Sequence, residues 1–134
     1  MKRKVVVDAS VALKWIPGPR EEKVEEAKKI YQEIVLGEVE GWAPSFLALE
    51  MLNILIRKRK ADPDLAVKGI EIVMAKLSTR NLDVGKLVLW KKLMEKHGVS
   101  SYDSLYLQLA GELGCKVISA DKKLTHLKEQ VDEL

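Results

Sequence analysis

Four carboxylates stand along this sequence where an apolar or neutral residue would be the ordinary choice: Asp8 after KVVV, Glu50 in FLALEMLNIL, Asp103 in SSYDS and Asp121 in VISAD. Acids gathered without a partner cannot all stay ionised, because like charges a few ångströms apart raise one another's pKa. A divalent cation removes that conflict. Mg2+ or Mn2+ takes hard oxygen ligands, keeps several waters, and is held by a few carboxylates while also meeting phosphate. The matching chemistry is phosphodiester hydrolysis, in which the cation lowers the pKa of a bound water, orients it and stabilises the leaving oxygen. Each acid also has a plainer reading. Asp8 and Asp121 suit strand ends or helix N-caps, Asp103 suits a capping box with Ser100, and Glu50, Asn53 and Arg57 share a line that could be the solvent face of a helix. Spacing alone leaves both readings open.

The elements that must position these acids follow from periodicity. Lys4 to Val7 is a β-branched run expected to form a strand buried on both faces, so Asp8 falls at its carboxyl end. A short helix is expected over Ser10 to Trp15, closed by the turn residues Pro17, Gly18 and Pro19. Glu21 to Leu36 has the apolar spacing of an amphipathic helix, with Val24, Ala27, Ile30, Tyr31 and Ile34 on one face and a Glu25–Lys29 pair outside. Pro44 suits a helix first turn, and Ser45 to Arg59 reads as a helix apolar on most sides. Asp62 before Pro63 is an N-cap for a helix striped by Ala66, Ile70, Val73, Met74 and Leu77.

Arg80 to Val84 is expected to be a brief strand. A helix carrying Leu87, Trp90, Leu93 and Met94 then runs to Gly98, another spans Tyr102 to Leu113, and Lys116 to Ala120 is a further strand, after which Asp121 opens a last helix. Strands separated by helices imply a parallel sheet, because parallel strands need crossover connections. In such sheets ligands sit beyond the carboxyl ends of the strands, the edge that Asp8 and Asp121 would share.

With 134 residues, 47% hydrophobic and 32% charged, the chain is expected to be one α/β domain over residues 1–134. Cys115 is the only cysteine, which excludes an intramolecular disulfide and a cysteine-based zinc site, and His97 and His126 are expected at the surface or at helix ends. The start MKRKVVVD lacks the uninterrupted apolar stretch of a signal peptide, so a cytoplasmic location is expected, and no run approaches the length that spans a bilayer. A formal charge of +3 permits an anionic partner such as RNA. Arg57 to Lys60, RKRK, could meet RNA phosphate or simply oppose the helix dipole. Trp15, Trp42 and Trp90 are expected to pack, with Trp15 nearest the acids.

VVVDASVALKW, APSFLALEMLNIL, SSYDSLYLQLA and KVISADKKL, in that order, resemble the four conserved blocks of the PIN-domain ribonucleases, above all the VapC toxins of prokaryotic toxin–antitoxin pairs. The resemblance covers nearly the whole chain. It implies a three-layer α/β/α sandwich with a central parallel sheet, and Mg2+- or Mn2+-dependent cleavage of single-stranded RNA. Carried over residue by residue, Asp8, Glu50, Asp103 and Asp121 match the catalytic and metal-binding acids. Ser10 and Ser119 match supporting hydroxyls, Ser10 bonding a carboxylate or a metal-bound water. The resemblance also implies a homodimer and an antitoxin protein that covers the acidic site. The family's last strand has no evident counterpart in HLKEQVDEL. Two other readings compete: an inactive PIN-fold module that binds RNA or protein, and a haloacid-dehalogenase-like phosphatase, which needs an acid where Ser10 stands.

Overall fold

The structure is a computed structural model that describes residues 2–18 and 21–134. Pro19 of the expected turn lies outside the described residues. Val5, Val6 and Val7 are each at most 2% exposed although alternate side chains of a strand point to opposite faces, so both faces of β1 (Arg3–Val7) are covered. Around β1 lie β2 (Val39–Pro44), β3 (Ser78–Arg80), β4 (Lys116–Ser119) and β5 (Val131–Glu133), in the order β3-β2-β1-β4-β5. Every pairing is parallel; Val6, for example, lies opposite Trp42 on one side and Val117 on the other. The fold is the expected three-layer α/β/α sandwich.

The helices are α1 (Ala9–Ala12) with a 3-10 turn over Leu13–Trp15, α2 (Val24–Val35), α3 (Phe46–Asn53), α4 (Pro63–Ala75), α5 (Leu87–His97), α6 (Ser101–Leu113) and α7 (Lys122–Thr125). Asp62 caps α4 as expected, accepting from the N–H groups of Asp64 and Leu65. Among the described residues, no helix is long and apolar enough to cross a membrane.

Several elements differ from the sequence reading. Pro44 ends β2 rather than opening a helix, and Gly41 explains why that strand was hidden: a Cβ there would come within 2.8 Å of the side-chain ends of Ile34 and Leu77, which would have to shift, and glycine avoids that. β3 lies earlier than the expected Arg80–Val84, because its pairing runs from Trp42–Ser78 to Pro44–Arg80. β5 supplies the last strand that HLKEQVDEL did not announce, pairing Val131 with Val117. α2 begins only at Val24, since Glu21 instead pairs with Lys14 and Arg59; its Glu25 pairs with Lys28, not Lys29. On α5, Trp90 is buried while Leu87 is largely exposed.

Candidate metal centre

From β1 the chain passes to β2 on one side, and from β3 it returns to β4 on the other, so β1 and β4 flank the point where the strand order reverses. That crevice, at the carboxyl ends of the strands, is the usual ligand site of an open parallel sheet. Asp8 extends β1 by donating its N–H to the Ile118 carbonyl, then caps α1 by accepting the Val11 N–H at 3.2 Å on Oδ1. Asp8 is therefore a strand end and an N-cap, as the plainer reading held, yet it is only 5% exposed. The Ser10 hydroxyl donates to Oδ1 at 2.6 Å and the Ser119 hydroxyl to Oδ2. Each serine is fixed in turn: Ser10 accepts the Ala120 N–H at 2.9 Å and Ser119 accepts the Asp121 N–H at 3.0 Å. Three donors thus occupy a carboxylate that can accept about four, leaving room on Oδ2. Burial pushes the Asp8 carboxyl up to about 6, against the pull of these donors and with a further push from the Asp121 charge.

The other three acids stand around it. Glu50, on α3, accepts the Tyr106 hydroxyl at 2.5 Å; burial and the Asp103 charge raise its pKa while that hydrogen bond lowers it. Asp103 sits in the first turn of α6, where its N–H is capped by Ser100 at 3.0 Å. Burial and the Asp121 charge raise its pKa, opposed by Ser100 and Lys123. Asp121 caps α7 through the Lys123 N–H at 2.9 Å. These pairwise influences link Asp8, Asp121, Asp103 and Glu50 into one neighbourhood.

Glu50, Asp103 and Asp121 line an open cleft of about 890 Å³, and the buried Asp8, which does not line it, feels the Asp121 charge. Asn53 and Arg57 face the same cleft, so the line they form with Glu50 is an exposed one that borders the acids. After Asn53 the helix widens into a π-turn over Ile54–Lys58, a distortion common at functional sites. RKRK is accordingly divided: Arg57 and Lys58 line the cleft, whereas Arg59 turns to Glu21. Trp15 does not line the cleft and packs as expected; its indole N–H donates to the Ala27 carbonyl at 2.7 Å and its ring leans on Tyr31. Tyr106 and Lys123 are the site residues that the sequence reading missed. Tyr106 had a signal, three residues after Asp103 on a helix, but a buried tyrosine in an apolar stretch looks like core.

Among the described residues, no three His, Cys, Asp or Glu side chains form a ready-made metal cage. The donor set nevertheless fits a hard cation that retains waters and takes only one or two carboxylates directly. It offers oxygen alone, and three of its four acids hold protons more tightly than usual, which an added positive charge would reverse.

The sequence matches the PIN domain family over residues 5–130. Among curated proteins there is no match. Similar solved structures include PAE2754 from Pyrobaculum aerophilum, at 18% identity and TM-score 0.70, covering 98% of this chain and 89% of that one. A chain of VapBC2 from Rickettsia felis, solved bound to a DNA fragment from its promoter, is 11% identical with TM-score 0.71, covering 98% of each. A chain of DNA-bound VapBC from Salmonella typhimurium is 14% identical with TM-score 0.69, again over 98% of each. At these identities the likeness is one of fold.

Proposed function

The chain belongs to the PIN domain family, and on that premise we propose that it is a metal-dependent endoribonuclease of the VapC type. The observation that carries the reading is the meeting of Asp8, Glu50, Asp103 and Asp121 at the strand-order reversal, where burial and neighbouring acidic charge raise the proton affinities of Asp8, Glu50 and Asp103. These four acids would hold Mg2+ or Mn2+, which when bound supplies Lewis acidity and a water of lowered pKa. The protein's part is positional and electrostatic. Ser10, Ser119 and the Val11 N–H lock the Asp8 carboxylate, and Tyr106 orients Glu50. Arg57, Lys58 and Lys123 give the cleft cations for RNA phosphates.

Two of the similar structures are VapBC assemblies, which supports an antitoxin partner for this chain. Leu49 on α3 and Leu65 and Ile72 on α4 are exposed apolar residues available for that partner or for a homodimer. A phosphatase of the haloacid-dehalogenase type is displaced by the family match, and Ser10 stands where its general acid would be needed.

The test is incubation of the purified protein with end-labelled single-stranded RNA and Mn2+. Internal cleavage that co-purifies with the protein and stops in excess EDTA is expected. Cleavage indifferent to EDTA would contradict the reading, and RNA binding without any cleavage would favour an inactive PIN-fold module.

A further inference from the structure

The chain has a single phenylalanine, and it is not used in the core. Phe46 opens α3 directly beyond the carboxyl end of β2, and its ring stacks parallel on Tyr102, with centroids 5.3 Å apart and 3° between planes. Tyr102 is 57% exposed and lies next to Asp103 in the first turn of α6. Both rings line the cleft that holds Glu50, Asp103 and Asp121. Phe46 is half-buried and stands outside the main core, so the only phenylalanine of the chain spends its ring on a stack at the rim of the cleft. The stack also fixes the Tyr102 ring in one orientation while much of that residue stays open to solvent.

The same cleft is lined by Arg57, Lys58 and Lys123, none of which has a carboxylate partner within 4 Å among the described residues. A π-face, unpaired cations and clustered acids are the parts that an unpaired nucleotide would meet together: the base stacks, the flanking phosphates find positive charge, and the scissile phosphate reaches the acids. A paired base would have its faces covered by its neighbours. Three cations beside the stacked rings favour a polyanion over a neutral peptide.

We propose that Phe46 and Tyr102 form a stacking subsite for one unpaired base of a single-stranded RNA, placed beside the carboxylate cluster. The subsite deepens the ribonuclease reading by naming a determinant of strandedness. Tyr102 presents the face, Phe46 backs it, and the choice of base is left loose because every base has a π-face.

The experiment measures binding, not cleavage, so that its failure is distinct from failure of the ribonuclease reading. The full-length protein in EDTA is titrated into fluorescent single-stranded RNA, the same RNA with one abasic position moved along it, and a duplex of the same sequence. Tyr102→Ala is expected to weaken single-strand binding by about tenfold, with Tyr102→Phe retaining it. Tyr102→Leu, which still covers Phe46 but offers no π-face, should behave as Tyr102→Ala. One abasic position should cost as much as Tyr102→Ala, and the two losses should not add. Equal affinity of Tyr102→Ala and the unsubstituted protein, loss in Tyr102→Ala that is unchanged on every abasic RNA, or no preference for single strands over duplex would each overturn the subsite. If the affinities behave as expected while no RNA is ever cut, the subsite stands and the nuclease reading falls.

Discussion

Two of the places in this molecule that hold buried or half-buried acids are built in opposite ways. Glu21, with a side chain 19% exposed, faces two cations: Lys14 at 3.4 Å, and Arg59. Asp8, Glu50 and Asp103 face hydroxyls, backbone N–H groups and one another, with only Lys123 helping Asp103 from nearby. The first arrangement is closed, because its charges cancel and nothing further is needed. The second is open: neutral donors orient the carboxylates but do not neutralise them, so the cluster keeps a net demand for positive charge. An acid's role in this fold is legible less from its burial than from the sign of what surrounds it.

The comparison breaks most visibly in activity. Asp8→Ala or Asp103→Asn should lower Mn2+-dependent RNA cleavage on the order of a thousandfold or more, with the circular dichroism spectrum unchanged. Glu21→Ala should leave the cleavage rate as it is. A Glu21 variant as inactive as the Asp8 variant would erase the distinction between the two sites.

A second effect concerns pH. Asp8 titrates at about 6 in the folded chain against an ordinary 3.8, so between those values the folded state binds more protons than the unfolded one. Stability of the metal-free protein from this group therefore falls as pH rises from about 4 to 6, by about 3 kcal/mol, and is level above. Glu50 and Asp103 shift in the same direction. Added Mn2+ should raise the melting temperature more at pH 7 than at pH 5, and Asp8→Asn should shrink the difference. A pH-independent gain would mean that the cation binds elsewhere.

Smaller effects should sharpen the contrast between orienting and neutralising groups. Tyr106→Phe removes only the donor to Glu50, and is expected to weaken Mn2+ affinity about tenfold while high Mn2+ restores kcat. Tyr106 is 1% exposed and Phe keeps its ring, so Mn2+ affinity and kcat both unchanged in Tyr106→Phe would show that its role is packing alone. Glu21→Ala should cost about 1 kcal/mol of stability, since its partners are partly solvated, and a melting curve would read it.

Where the chemistry required an unusual residue, the sequence was informative. An aspartate ending a valine strand and a glutamate in an apolar helix stood out, the family resemblance added Ser10 and Ser119, and the structure brings these residues together. The parallel sheet likewise followed from β-branched runs separated by amphipathic helices, and the three-layer sandwich from the family resemblance. β2 was hidden because VEGWAP carries Gly and Pro in place of β-branched residues, its fit set by Ile34 and Leu77 from elsewhere in the chain. β5 is three residues long, too short for alternation to register, and depends on pairing with β4. Tyr106, Lys123 and the Phe46–Tyr102 stack are defined by partners on other elements of the fold, information that spacing along one helix does not contain.

The most direct measurement is a crystal of the protein soaked in Mn2+, with anomalous data collected near the manganese edge. A peak bounded by Asp8, Glu50, Asp103 and Asp121, absent from an Asp8→Ala crystal, is the expected result. A fully occupied Mn2+ elsewhere with none among these acids would contradict the metal centre.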